Sequence, residues 1–121
     1  MKGRPVRERM GFAVAGLVAG WRREHSFRVH VRTAAAALVV LLVLRPASVW
    51  WALFGVVAFL VMATELVNAA VEALVDHLHP ELHDEVKAIK DMMAGAVLLA
   101  GGAAVSVAAA FAVTLVRGWL A

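Results

Sequence analysis

The chain alternates between long apolar runs and short charged segments. The runs that lack any charged residue cover residues 33–44, 47–64 and 92–116. A helix needs about 20 predominantly apolar residues to cross a bilayer. The pattern therefore predicts three membrane-spanning helices over about 29–44, 48–76 and 92–116. The first of them requires Arg32 to extend its side chain back to the interface.

A shorter apolar stretch precedes these runs. Residues 10–21 carry no charge and lie between two basic clusters, but 12 residues are too few to span a membrane. We expect an amphipathic surface helix over about 5–24, with Phe12, Leu17 and Trp21 towards the lipid. The predicted fold is an all-α membrane protein in which residues 1–121 form one domain.

The composition agrees with a membrane protein. Hydrophobic residues make up 63% of the chain, against about 45–50% in soluble domains. The chain has no cysteine, which excludes disulfides, thiol catalysis and cysteine metal sites. A net charge of +3 could indicate nucleic-acid binding. In a membrane protein, however, basic residues mark the cytoplasmic flanks, so no nucleic-acid partner is expected.

The basic residues also predict the orientation. Ten of the twelve Lys and Arg residues lie in segments 1–32 and 77–91. These segments fall on the same side of three spanning helices, and an excess of basic residues identifies the cytoplasmic side. We therefore expect the N-terminus and the 77–91 connector in the cytoplasm and the C-terminus outside the bacterial cytoplasmic membrane.

A row of polar residues interrupts the second predicted span. Glu65, Asn68 and Glu72 are three and four residues apart, a spacing that stacks them on one helix face. Ionisable groups at this depth are energetically expensive and indicate a functional site. Carboxylate and amide oxygens suit Mg²⁺ and phosphate chemistry.

Other polar residues are predicted at the same depth. Glu24 precedes the first span, and Lys90 and Asp91 precede the third. Together with the row on the second span they supply carboxylates for a cation, a lysine for phosphate and a carboxylate for a proton, as phosphoryl transfer requires. No glycine-rich phosphate loop or protein-kinase signature is present. Two alternatives are an ion path, although the polar row stops at Glu65, and a structural helix bundle.

Two motifs resemble a known family. The stretch at 65–76 reads ELVNAAVEALVD and is followed by Lys90-Asp91, while Trp21-x-x-Glu24-x-x-Phe27-Arg28 precedes the first span. These motifs resemble the small bacterial membrane diacylglycerol kinases, a family that includes undecaprenol kinases. The resemblance covers essentially the whole chain.

The resemblance implies an ATP-dependent lipid kinase. It implies a homotrimer whose active sites lie at the cytoplasmic interface and are shared between neighbouring subunits. Glu65 matches the general base for the lipid hydroxyl. The residues that match Mg²⁺ ligands are Glu24, Asn68 and Glu72. The residues that match the nucleotide site are Lys90 on the phosphates and, on the nucleoside side, Glu81, Asp91 and His83.

The resemblance allows two alcohols as the lipid acceptor. Diacylglycerol kinases of the enteric type carry an acidic residue where this chain has His30. The segments Phe27–His30 and Pro80–His83 look more like the undecaprenol kinase branch. The expected product is phosphatidic acid from diacylglycerol, or undecaprenyl phosphate from undecaprenol.

Overall fold

Four helices make up the fold. The computed structural model describes residues 2–79, 81 and 83–120. In chain order the helices are α1 (Val6–Arg23), α2 (His25–Leu44), α3 (Ser48–Leu78) and α4 (Asp84–Leu120). Helices α2, α3 and α4 are each long and apolar enough to cross a membrane. The predicted all-α fold is confirmed, and it contains three helices long and apolar enough to span a membrane.

The spanning helices extend beyond their apolar runs at the polar ends. α2 begins at His25, ahead of the predicted start at residue 29, and α4 begins at Asp84, ahead of residue 92. Backbone hydrogen bonding does not require apolar side chains, and Lys, Glu, Arg and Ala are good helix formers. The extensions therefore carry charged side chains at the predicted depth of the site.

Helix α3 is the centre of the bundle. It contacts each of the other three helices, most extensively α4. The buried side chains are few, as expected where lipid or another chain covers the outer faces. They are Phe27 and Leu41 of α2, Val57, Val61 and Glu65 of α3, and Val86, Ala100 and Phe111 of α4.

An aromatic cluster joins α3 to α4 at the end opposite the polar row. The Phe111 ring centroid lies 5.1 Å from that of Trp50 and 5.3 Å from that of Phe54. Tilted and edge-on contacts of this kind stabilise a pair beyond the burial of area. This contact fixes α4 beside the first turns of α3.

The junction between α1 and α2 is a single extended residue, Glu24, with φ −116° and ψ 112°. The Arg28 guanidinium donates to the carbonyl oxygens of Trp21 at 2.6 Å and Arg22 at 3.3 Å. The Arg32 guanidinium lies 5.6 Å from the Trp21 ring centroid. Because the last carbonyls of a helix lack partners within it, these contacts stabilise the end of α1. They fix Glu24 between two helices.

Candidate active site

Glu65 is the one buried charged residue in the described part of the chain, and only 7% of its surface is exposed. The Ser26 hydroxyl donates to its Oε2 at 3.0 Å. The His30 Nε2 atom lies 3.1 Å from its Oε1. Residues 26 and 30 are one turn apart on α2, so they present both groups on one face. The carboxylate of α3 is therefore held from α2 at both of its oxygens.

Ser26 and His30 are not among the site residues that the sequence predicts. His30 marks a departure from the enteric type in the sequence, without a role in the site. The sequence contains a signal for their role, because these polar residues are four apart on α2 and lie at the predicted depth of Glu65. The rotation of α2 relative to α3 decides which of these residues reaches the carboxylate, and spacing within one helix does not define that rotation.

Lys90 joins α4 to the polar end of α3. Its Nζ atom lies 2.8 Å from Oδ1 of Asp76 and also lies within electrostatic range of Glu72. The predicted phosphate-binding lysine is thus beside the helix that carries the predicted metal ligands. Asp91, predicted on the nucleoside side, instead pairs along α4 with Lys87 at 2.6 Å. The two lysines therefore differ in that only Lys90 bridges two helices.

The predicted metal ligands Glu24, Asn68 and Glu72 are half-buried. Their side chains make no hydrogen bond or ion pair with another residue of the described chain. Across residues 2–79, 81 and 83–120, no three His, Asp or Glu side chains are grouped to hold a metal ion. Mg²⁺ commonly takes one or two carboxylates and completes its shell with phosphate oxygens and water. Two carboxylates and an amide fit that kind of site.

Two of the predicted nucleoside-side residues, Glu81 and His83, lie just ahead of the start of α4. Glu81 and His83 are exposed. His83 accepts a hydrogen bond at Nδ1 from the backbone N–H of Glu85 at 3.1 Å, and its carbonyl accepts from the Lys87 N–H at 2.9 Å. These bonds satisfy backbone donors of the first turn of α4. In this structure the His83 imidazole therefore stabilises the helix start.

Two cavities adjoin these groups. The first has a volume of about 570 Å³, lies between α2, α3 and α4, and is apolar except near His30 and Thr33. The second, of about 530 Å³, lies between α1 and α3, with Arg23 and Glu24 in its lining. The first cavity thus places hydrocarbon surface next to the residue that contacts Glu65, and the second places Glu24 beside α3.

Comparison with known proteins confirms the resemblance. Residues 11–114 match the sequence model of the family described as "Prokaryotic diacylglycerol kinase". The chain is 36% identical over 97 residues to a diacylglycerol kinase of Synechocystis sp., covering 79% of this chain and 55% of that protein. It therefore spans little more than half of that relative.

Two further relatives match over most of their length. A diacylglycerol kinase of Escherichia coli K12 is 34% identical over 90 residues, which cover 74% of each chain. One from Pseudomonas aeruginosa is also 34% identical over 90 residues, covering 74% of this chain and 73% of the relative. The chain belongs to the prokaryotic diacylglycerol kinase family, a family of lipid kinases.

Proposed function

We propose that this protein transfers the γ-phosphoryl group of ATP to the hydroxyl of diacylglycerol at the membrane surface, which yields phosphatidic acid. The observation that carries the proposal is the buried Glu65 carboxylate, which lies where the apolar run of α3 gives way to its polar face. A base at this position can meet an alcohol that is anchored in the bilayer.

The apolar cavity supports a lipid acceptor. Its lining includes Val61 and Met62, which precede Glu65 by about one turn of α3, and His30, which contacts the carboxylate. A hydrocarbon chain that enters this cavity from the bilayer leaves no water behind, so its fit depends on van der Waals packing against the apolar lining. The lipid hydroxyl would then lie at the polar end of the cavity, near Glu65.

Glu65 acts as general base in this proposal. The carboxylate accepts the proton of the lipid hydroxyl, and the hydroxyl oxygen forms a bond to the γ-phosphorus. The bond between that phosphorus and the oxygen bridging to the β-phosphorus breaks, so that ADP leaves. General bases of this kind contribute about 10²–10⁴-fold to rate.

The cationic side chain near the phosphates is Lys90. Its ammonium can contact a phosphate oxygen as a point charge in place of, or beside, Asp76. Glu24, Asn68 and Glu72 would hold the divalent metal, Mg²⁺, which when bound neutralises charge on the phosphates. The nucleoside side is assigned to Glu81, His83 and Asp91.

We place the site on the cytoplasmic side of the bacterial inner membrane, with the N-terminus inside and the C-terminus outside. This orientation is supported by the concentration of Lys and Arg in segments 1–32 and 77–91. We further propose a homotrimer with active sites shared between subunits. The extensive exposed apolar surface of α2, α3 and α4 supports close neighbours, whether lipid or other copies.

Undecaprenol is the second candidate acceptor. It is favoured by the Phe27–His30 segment, in which His30 takes the position that is acidic in the enteric type and contacts Glu65. Both alcohols present a hydroxyl on a long hydrocarbon body. The two reactions would use the same side chains and differ in the lipid that the bundle accommodates.

The test is transfer of radiolabelled phosphate from MgATP to diacylglycerol and to undecaprenol, side by side in detergent micelles. Labelled phosphatidic acid supports the first proposal, and labelled undecaprenyl phosphate alone replaces it with the second. Glu65→Gln should lower turnover at least a hundredfold while MgATP still binds. The matched control is Glu85→Gln, at an exposed carboxylate on the first turn of α4, which should keep full turnover. No transfer to either lipid would refute the lipid kinase assignment.

A further inference from the structure

We infer that Ser26 and His30 are positioning residues that hold the Glu65 carboxylate in its reactive orientation. The inference rests on the proposed role of Glu65 as base and adds the part that α2 plays in it. Ser26 contributes a hydroxyl to Oε2 and His30 contributes Nε2 to Oε1, each from α2 to α3. Ser26 needs to touch neither the lipid nor the nucleotide, whereas His30 also lines the apolar cavity assigned to the lipid.

The geometry defines the plane of the carboxylate. A glutamate side chain has three rotatable bonds, and restricting them costs conformational entropy. Contacts at both oxygens, from residues one turn apart on one rigid helix, leave the carboxylate a single orientation. Since each carboxylate oxygen has about two acceptor positions, one remains on each oxygen for the lipid hydroxyl.

In both contacts the residue of α2 is the hydrogen-bond donor and the Glu65 carboxylate is the acceptor. The serine hydroxyl is the donor in its bond, because an ionised carboxylate can only accept. At 3.1 Å from Oε1, the His30 Nε2 must carry its proton, since two acceptors at that distance would repel each other. Both groups therefore act as donors to the carboxylate oxygens and hold them in place.

A purely structural role makes different predictions. If the contacts served only to satisfy a buried carboxylate, removing them would lower stability without changing the turnover of folded protein. A positioning role predicts that kcat falls while the KM for ATP is unchanged. It also predicts that another N–H donor at position 30 restores kcat, because the geometry and not the imidazole is needed.

The experiment compares His30→Leu, His30→Gln and Ser26→Ala, with kcat normalised to folded protein. His30→Leu and Ser26→Ala should lower kcat about tenfold or more, with the KM for ATP within about twofold. The amide N–H of His30→Gln should keep kcat within about threefold of wild type. The matched serine control is Ser106→Ala, whose hydroxyl bonds only to the Gly102 carbonyl of its own helix.

A spectroscopic measurement tests the contact without turnover. The His30 side-chain ¹⁵N resonance is recorded in micelles for wild type and for Glu65→Gln, and it should shift when the carboxylate is removed. An unchanged resonance overturns the inference. Unchanged kcat in His30→Leu, or equal loss in His30→Gln and His30→Leu, also overturns it.

The outcomes separate this inference from the proposed function. If wild type is active and Glu65→Gln is not, intact kcat in His30→Leu and in Ser26→Ala removes the positioning roles alone. If wild type phosphorylates neither lipid, the proposed function fails, and if Glu65→Gln retains turnover, the proposed role of Glu65 as base fails. In either case the positioning inference fails as well.

Discussion

Gly20 of α1 packs directly against Leu66 of α3, and it offers a sharp test of this packing. It is the one buried residue of α1. A methyl group added at this position would overlap Cδ2 of Leu66 and come within 3.5 Å of Cδ1 of Phe27. The backbone carbonyl of Gly20 also accepts the N–H of Glu24 at 2.9 Å. Gly20→Ala should therefore disturb both the α1–α3 contact and the position of Glu24.

Two opposing effects determine how much Gly20→Ala changes the free energy of unfolding. Alanine is more favourable than glycine inside a helix by about 1 kcal/mol. Forcing an extra methyl group into a packed contact costs about 1–3 kcal/mol. Gly11 lies on the same helix, and a methyl group there meets nothing within 4 Å. The difference in unfolding free energy between Gly20→Ala and Gly11→Ala cancels the helix term and should equal the packing cost, about 1–3 kcal/mol.

The assay is unfolding by SDS in mixed micelles, followed by circular dichroism. Gly11→Ala should be as stable as wild type or more so, and Gly20→Ala should be less stable than Gly11→Ala. Leu66→Val lacks the Cδ atoms, so in that background Gly20→Ala should lose its penalty, as a double-mutant cycle can measure. Equal stability of Gly20→Ala and Gly11→Ala would refute the close approach of α1 and α3.

Three further predictions concern the proposed site. Lys90→Ala should raise the KM for ATP about tenfold or more, because a charge-assisted contact to phosphate is lost, whereas Lys87→Ala should change it less than about twofold; equal effects in ATP titrations would contradict the assignment. Glu72→Ala should raise the half-saturating Mg²⁺ concentration about tenfold, and Glu85→Ala should leave it unchanged; an unshifted Mg²⁺ titration would remove Glu72 as a ligand. Oligomers assembled from Glu65→Gln and Glu72→Ala subunits should regain part of the activity that each variant lacks; mixed assemblies no more active than their parents would argue against shared sites.

Much of the fold follows from one-dimensional properties of the chain. The apolar runs at 47–64 and 92–116 are long enough to form spanning helices, since bilayer thickness sets a minimum length. The ends of the helices were less predictable. α2 and α4 continue through charged residues because helical hydrogen bonds are local and tolerate polar side chains that reach water.

Part of the site also follows from one-dimensional properties of the chain. Glu65, Asn68 and Glu72 share a helix face through spacing alone, and Lys90 and Asp91 were expected at the start of α4. The pair between Lys87 and Asp91 follows the four-residue spacing of a helix, but spacing does not predict that Lys90 pairs with Asp76. Asp91 pairs with Lys87 within α4, while Lys90 reaches across to α3.

The sequence by itself determined the family through its motifs. It also determined the three helices long and apolar enough to span a membrane and the polar face of α3, because these depend on composition or on the repeat of a single helix. Only the tertiary structure decided that Glu65 is held by Ser26 and His30, and that Lys90 pairs with Asp76. Ser26 and Glu65 are 39 residues apart along the chain, and Asp76 and Lys90 are 14 residues apart. Contacts at such separations depend on how the helices rotate and cross, which is set by side-chain packing between them.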